Sequence, residues 1–112
     1  MNKNKTIGDK CIETFPDKIP IILHYDNIFQ NKNEVQLTKL LVPNNIDINH
    51  FTIFIRRKIK IPYTETLEVL INNKNNKPVN IVETISSLYN NNKNPNDGCL
   101  HIFLRKECTI NY

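Results

Sequence analysis

The stretch that decides the fold runs from residue 40 to residue 61 and reads LLVPNNIDINHFTIFIRRKIKI. It begins as a short apolar segment ending at Pro43, and the Asn-rich residues that follow are typical of a turn. Apolar residues then recur at three- and four-residue spacing, which predicts a helix. The buried face of this helix would carry Ile48, Phe51, Ile55 and Ile59. Asp47 is a suitable N-cap, because its carboxylate can accept hydrogen bonds from the free amides of the first turn.

The segments on either side of this centre have the composition of β-strands. Before it, two apolar runs flank an Asn-rich loop and are expected to form a hairpin, and after it two more runs are bounded by turn residues. The four predicted strands are Ile19 to Tyr25, Val35 to Val42, Leu67 to Asn72 and Cys99 to Arg105. Pro20 is compatible with the first of them because it lies near the start of the strand.

Two shorter helices complete the prediction. Residues Ile7 to Thr14 are expected to form one or two helical turns. Asn80 with Glu83 resembles a capping arrangement for a second short helix. That helix would carry Val82, Ile85, Leu88 and Tyr89.

The predicted order is therefore strand, strand, helix, strand, short helix, strand. A hairpin followed by a right-handed helical crossover to a parallel strand buries one helix against one sheet. This is the α+β arrangement of the ubiquitin-like β-grasp fold, with a four-stranded mixed sheet whose second strand lies at the edge. Residues 1–14 would be a short helical extension, and residues 15–112 the ubiquitin-like domain.

Length and composition limit the classes of protein to consider. A chain of 112 residues with 39% hydrophobic residues is expected to form one domain whose core needs no disulfide or metal. No run approaches the roughly 20 apolar residues of a membrane span, and residues 1–10 lack the apolar centre of a signal peptide. We therefore expect a cytosolic protein. The net charge of +4 suits a solvated surface, nucleic acid, anionic lipid or an acidic protein motif.

The cysteines and histidines do not form a recognisable catalytic or metal-binding motif. Cys11, Cys99 and Cys108 are odd in number and contain no C-x-x-C pair, which argues against a disulfide framework and against zinc. We expect no cofactor, no metal and no enzymatic activity. A catalytic Cys–His pair stays a minor alternative, because such partners meet in space and not in sequence.

Four ordered motifs carry a resemblance to a known family. They are FPDKIPIIL at 15–23, LLVPNNI at 40–46, FTIFIRRKIKI at 51–61 and ISSLYNNNKNPNDGCL at 85–100. Together they resemble the autophagy ubiquitin-like modifiers of the GABARAP and autophagy-related protein 8 type, over roughly Cys11 to Ile110. The resemblance implies recognition of short peptides in which an aromatic and an aliphatic residue, three apart, lie near acidic residues. Such a peptide would add to the edge of the strand Val35 to Val42.

The resemblance assigns roles to individual positions of this chain. The aromatic pocket would be lined by Cys11, Pro20, Ile22, Lys39, Leu41 and Cys99. The aliphatic pocket would be lined by Leu40, Val42, Pro43, Ile46, Phe51, Phe54 and Ile55. The acidic residues of the peptide would meet Lys18, Lys39, Arg57 and Lys58.

Simpler interpretations of these positions remain. Burial in the core is the alternative for most of the pocket residues, and a solvated helix end is the alternative for the cations. Cys99 stands where the family usually has Phe, so the aromatic pocket is expected to be roomier.

The resemblance also implies partners and a cellular location. Family members bind linear motifs of autophagy receptors and adaptors in the cytoplasm, and they reach autophagosomal membranes when a C-terminal glycine is conjugated to phosphatidylethanolamine. Aligned on Cys99 to Ile110, that glycine position holds Asn111, followed by Tyr112. A natural chain that continues to a glycine and a member that is never lipidated are both open. Conjugation enzymes are partners only in the first case.

Two other functions compete with motif recognition. A basic nucleic-acid-binding module would need cations interleaved with exposed aromatic residues, whereas this chain has no Trp and places its Phe residues mostly at core-compatible positions. No nucleic acid partner is therefore expected. Another ubiquitin-like modifier, attached to a protein lysine instead of a lipid, is the remaining alternative.

Overall fold

The computed structural model describes residues 5–26, 35–61, 67–71 and 79–106. Within them the chain forms three helices and four strands in the predicted order. These elements are α1 (Ile7–Thr14), β1 (Lys18–Asp26), β2 (Val35–Pro43), α2 (Ile48–Lys58), β3 (Leu67–Leu70), α3 (Ile85–Asn92) and β4 (Leu100–Lys106). None of the described helices is long and apolar enough to cross a bilayer.

The four strands form one mixed sheet in the order β2-β1-β4-β3. Strand β1 pairs antiparallel with β2 along its whole length, from Lys18 opposite Pro43 to Asp26 opposite Val35. On its other side β1 pairs parallel with β4, and β4 pairs antiparallel with β3. The predicted β-grasp fold is confirmed, and β2 is an edge strand of the sheet.

Helix α2 forms where the apolar spacing predicts it. The Asp47 side chain caps it by accepting a hydrogen bond from the His50 backbone N–H at 2.8 Å. Ile48, Phe51 and Ile55 are the buried residues of its inner face. The helix ends at Lys58 with Ile59 as its C-cap, and Lys60 then takes a positive φ of 58°. A proline cannot continue a helix without disrupting it, and Pro62 follows this helix in the sequence, but Pro62 lies outside the described residues.

The core lies between one face of the sheet and the helices α2 and α3. Successive strand residues point to opposite faces, so alternate residues of β1, β2 and β4 turn toward this inner face. The buried side chains that these three strands contribute to it are Ile19, Ile21, Leu23, Leu40, Val42, Leu100, Ile102 and Leu104, and β3 adds Val69 to the same core. The intervening residues face the other side of the sheet, where α1 contacts β1.

The cap predicted for α3 is wrong. Thr84, and not Asn80, is the N-cap, because its hydroxyl accepts a hydrogen bond from the Ser87 backbone N–H at 3.1 Å. The Asn80 side chain instead accepts from the Val82 backbone N–H at 3.1 Å and stabilises the turn before the helix. Val82 therefore precedes the helix and is 70% exposed, whereas the sequence places it on the helix.

Several predicted strand boundaries also differ by a few residues. Strand β3 ends at Leu70, two residues before the predicted end at Asn72. Strand β4 begins at Leu100, because the residue before it belongs to a turn in which Gly98 has a φ of +69° and the Cys99 backbone N–H bonds to Asp97. Strand β2 extends through Pro43, which pairs with Lys18 at the edge of the sheet.

Helix α1 is fixed to the loop before β4 by a close glycine–glycine contact. Its first turn is a capping box in which Thr6 and Asp9 satisfy each other's backbone amides. The Gly8 backbone N–H donates to the Asp97 carbonyl at 2.8 Å. A Cβ atom on Gly8 would overlap the Gly98 carbonyl, so the approach requires glycine at this position. The N-terminal helix is therefore held against the outer face of the sheet.

Candidate functional site

A cavity of about 630 Å³ lies beside the edge strand on the outer face of the sheet. Its walls come from α1, β1, β2, the loop before β4 and the start of β4. All six residues expected to form the aromatic pocket line it: Cys11, Pro20, Ile22, Lys39, Leu41 and Cys99. The structure thus brings together residues from four separate segments of the sequence. What binds there is taken up under the proposed function.

Strand pairing explains why these residues meet. Pro20 lies opposite Leu41 and Ile22 lies opposite Lys39 across the β1–β2 pair. Ile22 is also the partner of His101 on the parallel strand β4. Directly opposed residues project from the same face, so three adjacent strands contribute to one continuous outer surface. Helix α1 covers part of this surface and leaves the rest open as the cavity.

The outer side of the cavity is also lined by four residues that the sequence analysis did not assign to it. Ile7 and Leu37 are apolar and largely exposed, at 59% and 62% respectively. Asp97 and His101 add a polar wall to an otherwise mainly apolar cavity. The period-two pattern of β2 could have identified Leu37, because it shares a face with Lys39 and Leu41. Ile7 and Asp97 depend on how α1 and the loop before β4 fold back on the sheet, and His101 depends on the parallel pairing of β4 with β1.

The polar wall is a chain of hydrogen bonds that runs across the outer face. Asp97 Oδ1 accepts the Cys99 backbone N–H at 2.9 Å, and Asp97 Oδ2 accepts from His101 Nε2 at 2.6 Å. His101 Nδ1 is in turn 2.8 Å from His24 Nε2. The His24 ring stacks on Phe103 with 4.2 Å between ring centroids.

The surroundings of this hydrogen-bond chain lower the pKa values of His24 and Asp97. Partial burial lowers the pKa of His24, and His101 beside it acts in the same direction, against a smaller opposing effect of Asp97. Burial acts to raise the pKa of Asp97, but hydrogen bonds from the Cys99 backbone and the His101 ring outweigh it and leave the pKa lowered. Asp97 is therefore a stable anion at one end of the chain.

The cysteine in the cavity is poorly suited to covalent chemistry. Burial, followed by the negative charge of Asp97, raises the pKa of the Cys99 thiol to about 11. A thiol with that pKa is protonated near neutral pH, and the thiolate is the reactive form. Both ring nitrogens of His101 are already engaged, Nε2 by Asp97 and Nδ1 by His24. No nitrogen of that ring is left to take the Cys99 proton, so His101 does not serve as a base for Cys99.

The residues expected to form the aliphatic pocket divide into two groups. Val42, Phe51 and Ile55 are fully buried and belong to the core between the sheet and α2, as does Leu40, which is almost fully buried. These four lie on the inner faces of β2 and α2, so they present little or no surface in this structure, although Leu40 also borders the large cavity. The accessible members of the set are Pro43, Ile46 and Phe54, with Phe54 43% exposed.

Three of the four predicted cationic positions lie near the edge strand, and Arg57 lies apart from it on α2. Lys39 lines the large cavity, and Lys18 lies opposite Pro43 at the far end of β2. Lys58 shares a depression of about 360 Å³ with Thr38, which places the end of α2 beside the middle of β2. Arg57 lines a separate depression of about 230 Å³ together with Ile53. Only Lys39 belongs to the main cavity.

Comparisons with known proteins give a consistent result. The family model described as "Autophagy protein Atg8 ubiquitin like" matches residues 3–110. Autophagy-related protein 8e of Arabidopsis thaliana is 29% identical over 108 residues, covering 96% of this chain and 84% of the plant protein. Autophagy-related protein 8D of Oryza sativa subsp. japonica is 28% identical over 101 residues, covering 88% of this chain and 80% of that protein.

The fold is likewise similar to that of a solved structure. The crystal structure of Trypanosoma brucei ATG8 superposes with a TM-score of 0.73 at 21% sequence identity. The superposition covers 93% of this chain and 85% of the trypanosome chain. At this identity the likeness supports the fold alone.

Proposed function

The chain belongs to the Atg8 family of ubiquitin-like autophagy proteins, and from that premise we propose that it is a non-enzymatic adaptor for acidic-hydrophobic linear motifs. The bound peptide adds as a further strand to the edge of β2, and an aromatic side chain of the peptide enters the cavity between α1 and β2. Main-chain hydrogen bonds then supply affinity, while the pockets select side chains.

One observation carries this proposal. An edge strand and an apolar cavity of about 630 Å³ lie side by side, and residues of β2 line that cavity. Unpaired backbone groups at a sheet edge favour pairing with another extended chain. A cavity of this size is in the range of small-ligand pockets and is roomy enough for one indole ring.

The placement of the two pockets supports one direction for the proposed peptide. The cavity extends along β2 from Leu37 to Leu41, whereas the accessible aliphatic surface at Pro43 and Ile46 follows later in the chain. Three residues of extended peptide span roughly 10 Å. A motif whose aromatic residue precedes its aliphatic residue therefore runs parallel to β2, and the residues before the aromatic one pass Leu37.

The energetics favour a modest affinity. Two buried side chains contribute about 1.5 to 3 kcal/mol each, and each added main-chain hydrogen bond contributes about 0.5 to 1.5 kcal/mol. Association costs several kcal/mol, so the net result is a dissociation constant on the order of micromolar. Such weak binding becomes selective when many copies lie on one membrane.

Lys39 and the other three cationic residues, Lys18, Arg57 and Lys58, contribute to selectivity for acidic peptides. Each exposed ion pair contributes only about 0.2 to 1 kcal/mol. Their main effects are on register and on discrimination against basic peptides. Lys39 has the most direct effect because it is the cation within the cavity.

The cellular role follows from the same proposal. The adaptor would work in the cytoplasm and at autophagosomal membranes, where it would bind receptors and adaptors of autophagy. Conjugation to phosphatidylethanolamine applies where a glycine follows the ubiquitin-like domain. Mass spectrometry of the protein recovered from membranes of its source cells tests this directly: a phosphatidylethanolamine adduct supports conjugation, and an unmodified mass excludes it for that population.

The binding proposal is tested by titration of a Trp-x-x-Leu peptide with acidic residues before the Trp. We expect saturable binding, and we expect Leu41→Ala to weaken it about tenfold, because truncation of a pocket wall costs on the order of 1 to 2 kcal/mol. Leu41 is 39% exposed, so this change leaves the core intact. Val82→Ala is the matched control, since Val82 is also exposed and apolar but lies before α3, away from the cavity lining.

Two results would contradict the proposal. The first is the absence of saturable binding up to near-millimolar peptide. The second is an equal effect of the Leu41 and Val82 substitutions on the dissociation constant, which would place the peptide elsewhere on the surface.

A further inference from the structure

The histidine pair beside the cavity lies where the acidic part of a bound peptide would pass. Leu37 lines the cavity on β2, and its Cα partner on β1 is His24. A peptide that runs parallel to β2 with its aromatic residue in the cavity places its preceding residues beside Leu37. His24 lies one strand further in, about 10 Å from the peptide backbone, so a long acidic side chain on the same face must extend across Leu37 to meet the His24 ring. This step rests on the proposed function. His24 is hydrogen-bonded to His101, which itself lines the cavity.

The hydrogen-bond chain determines where an additional proton can go. Asp97 is a carboxylate that accepts from His101 Nε2, so His101 Nδ1 is left as an acceptor for the N–H of His24 Nε2. In this neutral arrangement His24 Nδ1 carries no proton, and no described residue provides it with a hydrogen-bond partner. A proton taken from solvent therefore adds at His24 Nδ1 and turns that atom into a donor with a positive charge.

We propose that the His24–His101 pair recognises acidic residues that precede the aromatic residue of a bound motif, and that the pair takes up one proton as the complex forms. The protonated His24 ring donates to a carboxylate of the peptide. Binding and protonation then favour each other, since each stabilises the state that the other requires. Affinity for acid-bearing motifs consequently rises as the pH falls.

The charged and titratable groups around the pair are consistent with this role. On the loop before β4, Asp97 is an anion bonded to His101. On β2, Lys39 is a cation that lies opposite Ile22, and Ile22 is paired on its other side with His101. Helix α1 contributes the half-buried Cys11, and Cys99 is buried beside Asp97. From β4, Phe103 stacks on His24.

In the free protein His24 is neutral and can take up a proton when a peptide binds. The lowered pKa of His24 keeps it neutral near neutral pH. A nearby carboxylate favours the charged form and raises that pKa. We expect this coupled proton uptake between about pH 5 and 8, the range in which histidine side chains titrate.

The experiment compares two peptides that differ only before the Trp of Trp-x-x-Leu: one has three Glu residues there, and the other has three Gln residues. Dissociation constants are measured at about pH 7.5 and at about pH 5.5, on either side of the ordinary histidine pKa. Peptide carboxylates stay largely ionised over this range. We expect the Glu peptide to bind about two- to fivefold more tightly at the lower pH, as for an exposed ion pair, and the Gln peptide to change little.

Variants separate the histidine pair from other sources of pH dependence. His24→Gln removes the titrating ring, and we expect it to abolish the gain for the Glu peptide while both peptides still bind. His50→Gln is the matched control, because His50 is exposed on α2 and bonded to Asp47, away from the cavity. We expect it to retain the gain. The His24 imidazole signals in NMR should also titrate at a higher pH in the presence of the Glu peptide.

The outcomes distinguish this inference from the function on which it rests. Failure of both peptides to bind at either pH overturns the proposed function. Binding of both peptides with the same ratio between the two pH values overturns the inference alone. So does a gain for the Glu peptide that survives His24→Gln or is lost in His50→Gln.

Discussion

At the scale of single residues, the site depends on how a few side chains and two glycines are held. Asp97 accepts three hydrogen bonds from different parts of the chain. Its backbone carbonyl accepts from the Gly8 N–H, one carboxylate oxygen accepts from the Cys99 backbone N–H, and the other accepts from the His101 ring. It therefore joins α1, the loop before β4 and the histidine pair. The Tyr89 hydroxyl adds a hydrogen bond of 3.0 Å to the Gly98 carbonyl and fixes the same loop from the core side.

The glycine contact gives a prediction about stability. Gly8→Ala is expected to lower the free energy of unfolding by about 1 to 3 kcal/mol, because the added methyl group overlaps the Gly98 carbonyl and the backbone must move. A gain of roughly 1 kcal/mol in helix propensity offsets part of this cost, but a net loss is expected because the overlapped atoms belong to the backbone and cannot rotate away. Denaturant unfolding measures the difference. Lys10→Ala, an exposed change on the same helix, should have little effect, and an unchanged or raised stability of Gly8→Ala would refute the contact.

At the scale of elements, the two helices of the inner face begin side by side. The residues before them form an isolated bridge between Asp47 and Thr84. The Ile48 N–H donates to the Glu83 carbonyl at 2.9 Å, and the Ile85 N–H donates to the Ile46 carbonyl at 2.9 Å. The free amides at both helix starts are thereby satisfied partly by the neighbouring segment, which links the orientation of α3 to that of α2.

The cap of α3 can be tested by substitution. Thr84→Ala is expected to lower the free energy of unfolding by about 1 kcal/mol, because the hydroxyl no longer accepts the Ser87 N–H. Thr84→Ser retains the acceptor and should be nearly neutral. Thermal or denaturant unfolding gives both values. A larger loss for Asn80→Ala than for Thr84→Ala would instead favour the cap that the sequence suggested.

The sequence predicts the element order well and the local details less well. The spacing of Ile48, Phe51 and Ile55 was sufficient for α2, because core-facing residues must recur with the helical period. Asn80 and Thr84 are both acceptable caps in sequence, and only the turn at Ile81 and Val82 decides between them. The order of strands followed from the resemblance and from the economy of the crossover.

The candidate site was predictable only in part for a related reason. The aromatic-pocket residues came from aligned motifs, whereas Asp97 and His101 reach the cavity through the pairing of β1 with β4. No local pattern reports that non-local pairing. Phe51 and Ile55 are likewise buried on the inner face and belong to the core, whereas the family resemblance also assigned them to the aliphatic pocket.

At the scale of the whole molecule, the described residues form a β-grasp domain with one sheet face closed by helices and the other partly open. The edge strand β2 borders both faces, so one bound peptide can contact the outer cavity and the region of Pro43 and Ile46. The net charge of +4 favours acidic partners in general. Binding to RNA that weakened steeply with salt would instead favour the nucleic-acid alternative.

Hydrogen exchange along β2, with and without a Trp-x-x-Leu peptide that carries preceding acidic residues, tests the central claim most directly. A peptide added to the sheet edge donates to and accepts from β2, so amides of residues 36 to 42 that do not bond to β1 should exchange more slowly in the complex. Amides of β3, at the opposite edge of the sheet, should be unaffected. Saturable binding with no added protection in β2, or with protection confined to β3, would contradict the claim.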